Sequence, residues 1–438
     1  MKINAEFKNA LWLIFDKVLL LLLNIFIGVK VAFHYGPAEY GMYEYAVSIE
    51  TILCILLTLV DPRVVKKKYL SFQKDLSVIR SVTIVKLKLS IIILVFGLIF
   101  LILIKDDSQQ FSIIFSLLLL NTFLTNITFG HENYFEYHLK SKIPVLSNNA
   151  SKVVSLVFQL FSIALGYPVL FIAVALLSGN AIRIVILLYL FKKEYGTTGY
   201  NAEKYDNKAV IGIIKESAPL AIAAAASIIY MKTDQLMLGM ILGKSQVGIY
   251  SFAVKLITVT TILIQPIQVT LFPRMKKLFL VDQDMYFKHY ESLTEIITLA
   301  SLLVVLLVWL LPDQLFLHVI AISYVSSISI FKILILGVFF MYVAIFRSSH
   351  YTIIGETKVM AISQILSCFL NIILNILFIS HYGVSGAALA TVTTQFLSLI
   401  LLDLFIPNGK RVASIELRSI ARSLYPPIIL RRLHRNSI

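Results

Sequence analysis

Long runs of apolar residues dominate this sequence and restrict the folds open to it. An α-helix needs roughly 20 such residues to cross a bilayer, and twelve segments approach or exceed that length: about 11–33, 43–61, 80–104, 111–130, 145–166, 168–191, 211–233, 246–271, 291–311, 331–350, 359–380 and 384–406. Only 14% of the residues are charged, against about a quarter in a soluble protein. Because lipid offers no hydrogen bonds to the backbone, the sequence predicts an all-α polytopic membrane protein.

Lysine and arginine occur mainly in alternate gaps between these segments. Clusters follow the second, fourth, sixth and eighth segments, and the C-terminal tail is basic; they begin at Arg63, Lys140, Lys192, Arg274 and Lys410. The positive-inside rule places these gaps, and both termini, in the cytoplasm. Since the net charge of +15 is divided among short clusters, nucleic acid is excluded as a partner.

A short motif that begins at Gly36 occurs again 207 positions further along the chain. The matched pairs are Gly36/Gly243, Gly41/Gly248, Tyr43/Tyr250, Ala46/Ala253 and Val47/Val254. Both copies lie in a tight turn between two apolar segments, so the chain is predicted to consist of two related halves. The expected organisation is an N-terminal six-helix bundle (1–195), a cytoplasmic linker (196–210), a C-terminal six-helix bundle (211–406) and a basic cytoplasmic tail (407–438).

Motifs for catalysis, metals or cofactors are not found in the sequence. Gly243-Lys244-Ser245 resembles the end of a phosphate-binding loop, but Leu238 occupies the place of the required first glycine. Cys54 and Cys368 lie inside apolar segments and are expected to be packing residues. The sequence therefore favours transport over catalysis.

Polar and ionisable side chains inside the apolar segments are the candidate functional residues, because a charge at mid-bilayer costs about 2.5–3.5 kcal/mol on insertion scales. At helical spacing they form stripes on segments 1, 2, 7 and 8, the two repeat-related pairs. These pairs are predicted to line one central hydrated cavity. The predicted substrate-binding residues are Lys17, Asn24, Ser48, Thr51, Tyr230, Lys255, Thr258, Gln265 and Arg183, and the candidates for ion coupling are Asp16, Glu44 and Asp234.

Simpler interpretations stay open for several of these residues. Lys17 is close enough to the cytoplasmic end to extend its ammonium to water, and Glu44 begins a helix whose N-terminus favours negative charge. Asp234 is also suited to an outer-surface pair with Lys232 or Lys244. Lys86 is expected to extend to the cytoplasmic interface.

Three further stretches carry a resemblance to a known family. They are 234–239 running into 243–253, Leu271–Pro273 at the end of the eighth segment, and Tyr382–Ala388 before the twelfth. Over nearly its whole length the chain resembles the oligosaccharide flippases of the O-antigen or Wzx type, polysaccharide transporters of the MATE-like MOP exporter superfamily. The resemblance implies two six-helix bundles in a V shape, with a cavity lined by helices 1, 2, 7 and 8.

The resemblance also implies a function. A flippase of this type moves an undecaprenyl-diphosphate-linked oligosaccharide from the inner to the outer leaflet of the bacterial plasma membrane by alternating access, for O-antigen, capsule or exopolysaccharide biosynthesis. The implied partners are this glycan, the phospholipid bilayer, a polysaccharide polymerase and a chain-length regulator. No cofactor is expected, and an ion gradient or the membrane potential supplies the driving force.

Two alternatives remain at this stage. A MATE-type drug or cation antiporter needs a cavity dominated by carboxylates, whereas the stripes here mix lysine with carboxylate. A membrane glycosyltransferase or polymerase needs a large external loop for its active site, and the sequence between the segments has none of that size.

Overall fold

The computed structural model describes residues 5–71, 75–104, 108–195, 207–404 and 409–423. Within these ranges, only the backbone is described for residues 5–24, 70, 71, 75, 104, 195, 261–263, 265, 266, 269, 317–319, 400–404 and 423. These ranges hold helices and no β-strand, as predicted. The helices are α1 Ala5–Leu53, α2 Pro62–Ser71, α3 Asp75–Ile104, α4 Gln109–Ile127, α5 Phe129–Tyr137, α6 Lys142–Ala164, α7 Leu170–Tyr195, α8 Asn207–Ile241, α9 Lys244–Val281, α10 Gln283–Leu310, α11 Asp313–Val319, α12 Ser326–Ile353, α13 Thr357–Leu404 and α14 Gly409–Ser423.

Eight stretches of the described chain are long and apolar enough to cross a membrane. They are Ile25–Tyr69, Leu76–Leu103, Gln109–Ile127, Leu170–Glu194, Asn207–Ile241, Gln283–Leu310, Ser326–Ile353 and Thr357–Leu399. The protein is therefore a multi-pass membrane protein, as predicted. The count of twelve segments and the cytoplasmic position of the termini stay predictions.

Glycines mark the turns that the repeat predicted. Gly36 has φ 69° and interrupts α1, and Gly243 has φ 91° and precedes α9. Both values lie in the left-handed region, which glycine adopts without a steric penalty. Ala46 and Ala253, matched in the repeat, are both fully buried. The two copies thus share one turn geometry, and Gly383 with φ 58° makes a similar break within α13.

The chain changes its helical geometry soon after the first repeat turn. A 3₁₀ segment, Cys54–Leu59, follows α1 directly. Lys86 of α3 donates a hydrogen bond from Nζ to the carbonyl of Leu57 at 2.7 Å, and its ammonium lies 4.0 Å from the centroid of the Phe129 ring. Only 6% of Lys86 is exposed. The expectation that Lys86 extends to the interface is wrong, because the carbonyl and the ring bind the ammonium inside the protein.

Two compact units make up the chain, Met1–Leu236 and Met237–Ile438. They are called unit 1 and unit 2 below, and their boundary lies within α8. Most of the predicted linker, 196–210, falls outside the described residues, as does the tail beyond residue 423. The predicted bundle boundaries therefore stay predictions.

At one end of unit 1, an apolar cluster and several ion pairs hold the helices together. Val65, Ile79, Phe135, Leu187 and Ile213 are all nearly inaccessible there, and they bring together α2, α3, α5, α7 and α8. Ion pairs at this basic end include Lys66–Glu136, Lys68–Glu216 and Lys140–Glu194.

In unit 2 the basic helix α14 docks on the protein. Val412 and Ile415 are buried against Tyr286 and Tyr290 of α10. Arg411 lies 3.6 Å from the centroid of the Phe287 ring. The apolar face of α14 thus packs on α10.

Candidate functional site

Polar side chains of α1 and α8 meet inside unit 1. Ser48 Oγ of α1 donates a hydrogen bond to Gln235 Oε1 of α8 at 2.7 Å, and Lys232 Nζ donates to the same oxygen at 2.8 Å. Ser48 is completely buried and Gln235 is 5% exposed. Ser48, a member of one predicted polar stripe, therefore contacts α8 through Gln235, which does not belong to the stripe predicted there.

A carboxylate lies beside this contact. Glu50 accepts hydrogen bonds from Thr122 Oγ1 of α4 and from Cys54 Sγ, the latter at 3.2 Å. The Lys232 ammonium attracts the same carboxylate. Cys54 is thus a hydrogen-bond donor to a carboxylate, not the packing residue that its apolar neighbours predicted. No role was predicted for Glu50 from the sequence, because helical spacing alone does not show what α4 brings next to it.

Arg183 lies in a separate polar cavity of unit 1, enclosed by α4, α6 and α7. The cavity has a volume of about 320 Å³, and its polar lining is Asn121, Thr125, Asn148, Ser151, Lys152, Ser155, Asn180 and Arg183. Arg183 forms an ion pair with Glu132 at 2.7 Å and donates to the carbonyl of Thr125 at 2.7 Å. The Asn180 amide donates to Asn121 Oδ1 at 2.6 Å and to Thr125 Oγ1 at 2.8 Å.

Helices α6 and α7 pack closely beside this cavity. A Cβ added to Gly179 of α7 would lie 2.1 Å from Ser155 Oγ of α6. Around the Arg183–Glu132 pair, burial raises the pKa of the Glu132 carboxyl, and the Arg183 guanidinium opposes that shift. Burial also lowers the pKa of His131, the preceding residue, to about 4. Arg183 is therefore a buried basic group of this cavity that a carboxylate holds in place, and Lys152 is a second basic residue in the lining.

The other predicted site residues have varied surroundings. Thr51 and Thr258 donate to carbonyls of their own helices, those of Val47 and Val254, at 2.6 and 3.0 Å. Asp234 is 5% exposed, whereas Glu44, Tyr230 and Lys255 are half-buried. The side chains of Asp16, Lys17, Asn24 and Gln265 lie outside those described. The roles of all these residues stay predictions.

Comparison with known proteins gives the family. The sequence model of the family described as "Polysaccharide biosynthesis protein" matches residues 7–279, more than half of the chain. The chain belongs to the polysaccharide biosynthesis protein family. It is 23% identical over 373 residues to the capsular polysaccharide biosynthesis protein CapF of Staphylococcus aureus, an alignment that covers 83% of this chain and 90% of CapF.

Solved structures show how the fold of this family member relates to others. A multidrug resistance MATE transporter of the MOP superfamily, in an inward-facing conformation, matches with a TM-score of 0.72 at 16% identity, over 91% of this chain and 95% of its own. The lipid II flippase MurJ, in an inward closed conformation, matches with a TM-score of 0.67 at 16% identity, over 95% and 91%. The chain therefore shares its fold with these two structures. The family resemblance seen in the sequence is confirmed by the chain's membership of the polysaccharide biosynthesis protein family.

Proposed function

We propose that this protein moves a lipid-linked oligosaccharide from the inner to the outer leaflet of the plasma membrane. One observation carries the proposal: a polysaccharide biosynthesis sequence is built on the fold that a lipid II flippase and a MATE transporter share. Its partner is then an undecaprenyl-diphosphate-linked glycan, used for a surface polysaccharide such as O-antigen or capsule. The protein acts as a transporter and not as an enzyme.

The physical problem is to carry a large polar group through hydrocarbon. Unpaired polar groups cost several kcal/mol each when they leave water, so the glycan needs a polar path while the lipid tail stays in the bilayer. The contacts of Ser48, Gln235 and Lys232 support the proposal, because they place polar side chains inside unit 1 on two stretches that are long and apolar enough to cross a membrane. Lys17 and Lys255 are proposed to offset the charge of the diphosphate.

The driving force is proposed to be electrical or ionic. An inside-negative potential favours outward movement of an uncompensated anion by about 2.3 kcal/mol per charge per 100 mV. A carboxylate that binds a proton or a metal cation in one state and releases it in the other would add to this force. Asp16, Glu44 and Asp234 are the proposed candidates.

Reconstitution tests the proposal directly. Purified protein is placed in vesicles that contain the undecaprenyl-diphosphate-linked oligosaccharide isolated from the cells that produce it. Movement is measured as the fraction of the glycan that becomes accessible to a glycosidase on one side. We expect transfer that depends on the protein and increases with an imposed potential; no transfer above that of protein-free vesicles would refute the function.

Lys255 provides the sharper test at the level of a residue. Lys255→Ala is expected to lower transfer by roughly tenfold or more, because a lost charge interaction of about 1.4 kcal/mol or more has this effect. Lys276→Ala, an exposed lysine on the same helix α9, is the matched control and is expected to transfer at the wild-type rate. Equal transfer by the two variants would remove Lys255 from the proposed path.

A MATE-type drug or cation antiporter is the second candidate. The TM-score of 0.72 to the MATE transporter favours it, and the fold does not by itself distinguish the two substrates. Cells that overproduce the protein are tested for efflux of a cationic dye. Dye efflux without movement of lipid-linked glycan would select the antiporter.

A further inference from the structure

A groove lies at the end of unit 1 opposite the basic end that holds Lys66 and Lys140. Three turns form it: the break at Gly36, the start of α4 and the turn between α6 and α7. Its volume is about 660 Å³, and its polar and aromatic lining comes from His34, Tyr35, Glu39, Gln109, Gln110 and Tyr167. The distribution of lysine and arginine predicts that this is the outer end of the unit.

The aromatic side chains of the groove are held in place by one another and by a neighbouring ring. Tyr35 donates a hydrogen bond from its hydroxyl to the carbonyl of Tyr167 at 2.8 Å, which joins the first turn to the third. The Tyr167 ring stacks on Phe171, with centroids 4.7 Å apart and 20° between planes, and 40% of Tyr167 stays exposed. His34 and Tyr35 meet edge to face at 4.7 Å. The groove thus presents fixed aromatic surface to the solvent side.

The second copy of the turn shows that the turn does not require a histidine and a tyrosine before its glycine. At the offset of 207 positions, Ile241 and Leu242 correspond to His34 and Tyr35. Both glycines that follow, Gly36 and Gly243, keep a positive φ. A turn with the same backbone therefore carries apolar residues in unit 2 and an imidazole and a phenol in unit 1. We infer that His34 and Tyr35 have a binding role that the turn alone does not explain.

The side chains indicate what would bind. Exposed aromatic faces attract the polarised C–H groups of a sugar ring, since the face of an aromatic ring is negative. The amides of Gln109 and Gln110 both donate and accept hydrogen bonds, and the Glu39 carboxylate accepts them, which suits hydroxyl groups. The described lining contains no lysine or arginine, and it contains Glu39. Neutral sugars therefore fit this groove better than a phosphate group does.

We propose that this groove binds sugar residues of the translocated glycan at the outer end of unit 1. The proposal rests on the proposed function for the identity of the ligand. It adds a subsite that involves the glycan and not the lipid diphosphate. A glycan held there would be kept from returning while its lipid leaves the transporter.

Binding of the free glycan tests the groove. The probe is the oligosaccharide that mild acid releases from the lipid-linked pool of the cells that produce the protein, and binding to the purified protein is measured by calorimetry. His34→Ile with Tyr35→Leu introduces the residues of the second repeat, and Tyr167→Leu removes the stacked ring. Each variant is expected to bind roughly tenfold more weakly than wild type, since aromatic contacts contribute at about this level.

A matched control separates binding from the general preference of tyrosine for membrane interfaces. Tyr189 of α7 is 64% exposed and lies outside the groove, so Tyr189→Leu is expected to bind like wild type. Unchanged thermal midpoints show that the variants are folded.

The outcomes separate the groove from the proposed function. No binding of the glycan by wild type, or equal binding by wild type and both groove variants, overturns the groove. Absence of transfer in vesicles overturns the function instead. Weaker binding by the groove variants together with unchanged binding by Tyr189→Leu supports the subsite.

Discussion

Removing the Arg183 guanidinium should leave the Glu132 carboxylate buried without its cation. The two groups are 2.7 Å apart, and their side chains are 9% and 21% exposed. Breaking such a buried pair from one side costs roughly 3–5 kcal/mol, because the remaining charge is uncompensated. Arg183→Met is therefore expected to lower the thermal midpoint more than most substitutions in unit 1.

A double-mutant cycle isolates the pair. Arg183→Met combined with Glu132→Gln removes both charges, so the double variant is expected to be more stable than Arg183→Met alone. Unfolding of the purified protein in detergent is followed with a thiol-reactive dye, which reports the exposure of the free cysteines Cys54 and Cys368. Arg63→Met is the control, since Arg63 pairs with Asp61 at the surface with a side chain 72% exposed, and such pairs contribute about 0–1 kcal/mol.

The pH dependence of stability is a second test of the same ion pair. Burial raises the pKa of Glu132, and the guanidinium that opposes this shift is absent from Arg183→Met. A carboxyl with a higher pKa in the folded than in the unfolded state holds its proton more tightly when folded, so stability rises as the pH falls. The deficit of Arg183→Met relative to wild type should therefore shrink as the pH is lowered. Additive effects in the cycle, or a deficit independent of pH, would refute the reasoning.

Two further predictions concern packing within each unit. Gly179→Ala should destabilise the folded protein by roughly 1–3 kcal/mol, because the added methyl meets Ser155 of α6. Gly212→Ala is the control and should not destabilise it, since its Cβ would lie 3.6 Å from the nearest atom. Equal thermal midpoints of the two variants would contradict this prediction. Arg422→Ala should release α14, since Arg422 pairs with Glu291 and Glu295 of α10. Faster trypsin cleavage after Arg418 measures the release, and an unchanged rate would argue against it.

Some features of this protein depend on residues close together in the sequence, and these could be predicted. Others depend on residues far apart in the sequence, and these could not. Apolar segment length, the repeat and the turn glycines are local properties, because lipid requires a helix to satisfy its own backbone hydrogen bonds. The turns at Gly36 and Gly243 were therefore predictable from the repeat, and so was the family resemblance.

Side-chain partners were not predictable in the same way. Helical spacing placed Ser48 on a polar stripe, but only the tertiary structure showed that Gln235 of α8 is its partner. Lys86, near the end of its segment, looked like a residue that reaches water, and the Leu57 carbonyl and the Phe129 ring bind it inside. Arg183 was predicted to bind substrate, and nothing in the sequence indicated that Glu132, 51 positions away, pairs with it.

The sequence by itself thus determined a helical membrane protein with a repeated turn, because those features depend on hydrophobicity and on backbone geometry over a few residues. The tertiary structure decided which charges are neutralised and which aromatic groups share a groove. His34, Glu39, Gln109 and Tyr167 come from three turns, and the packing of α1, α4, α6 and α7 alone puts them on one surface. The residues that line this groove are brought together by helix packing, so no single stretch of sequence contains them all.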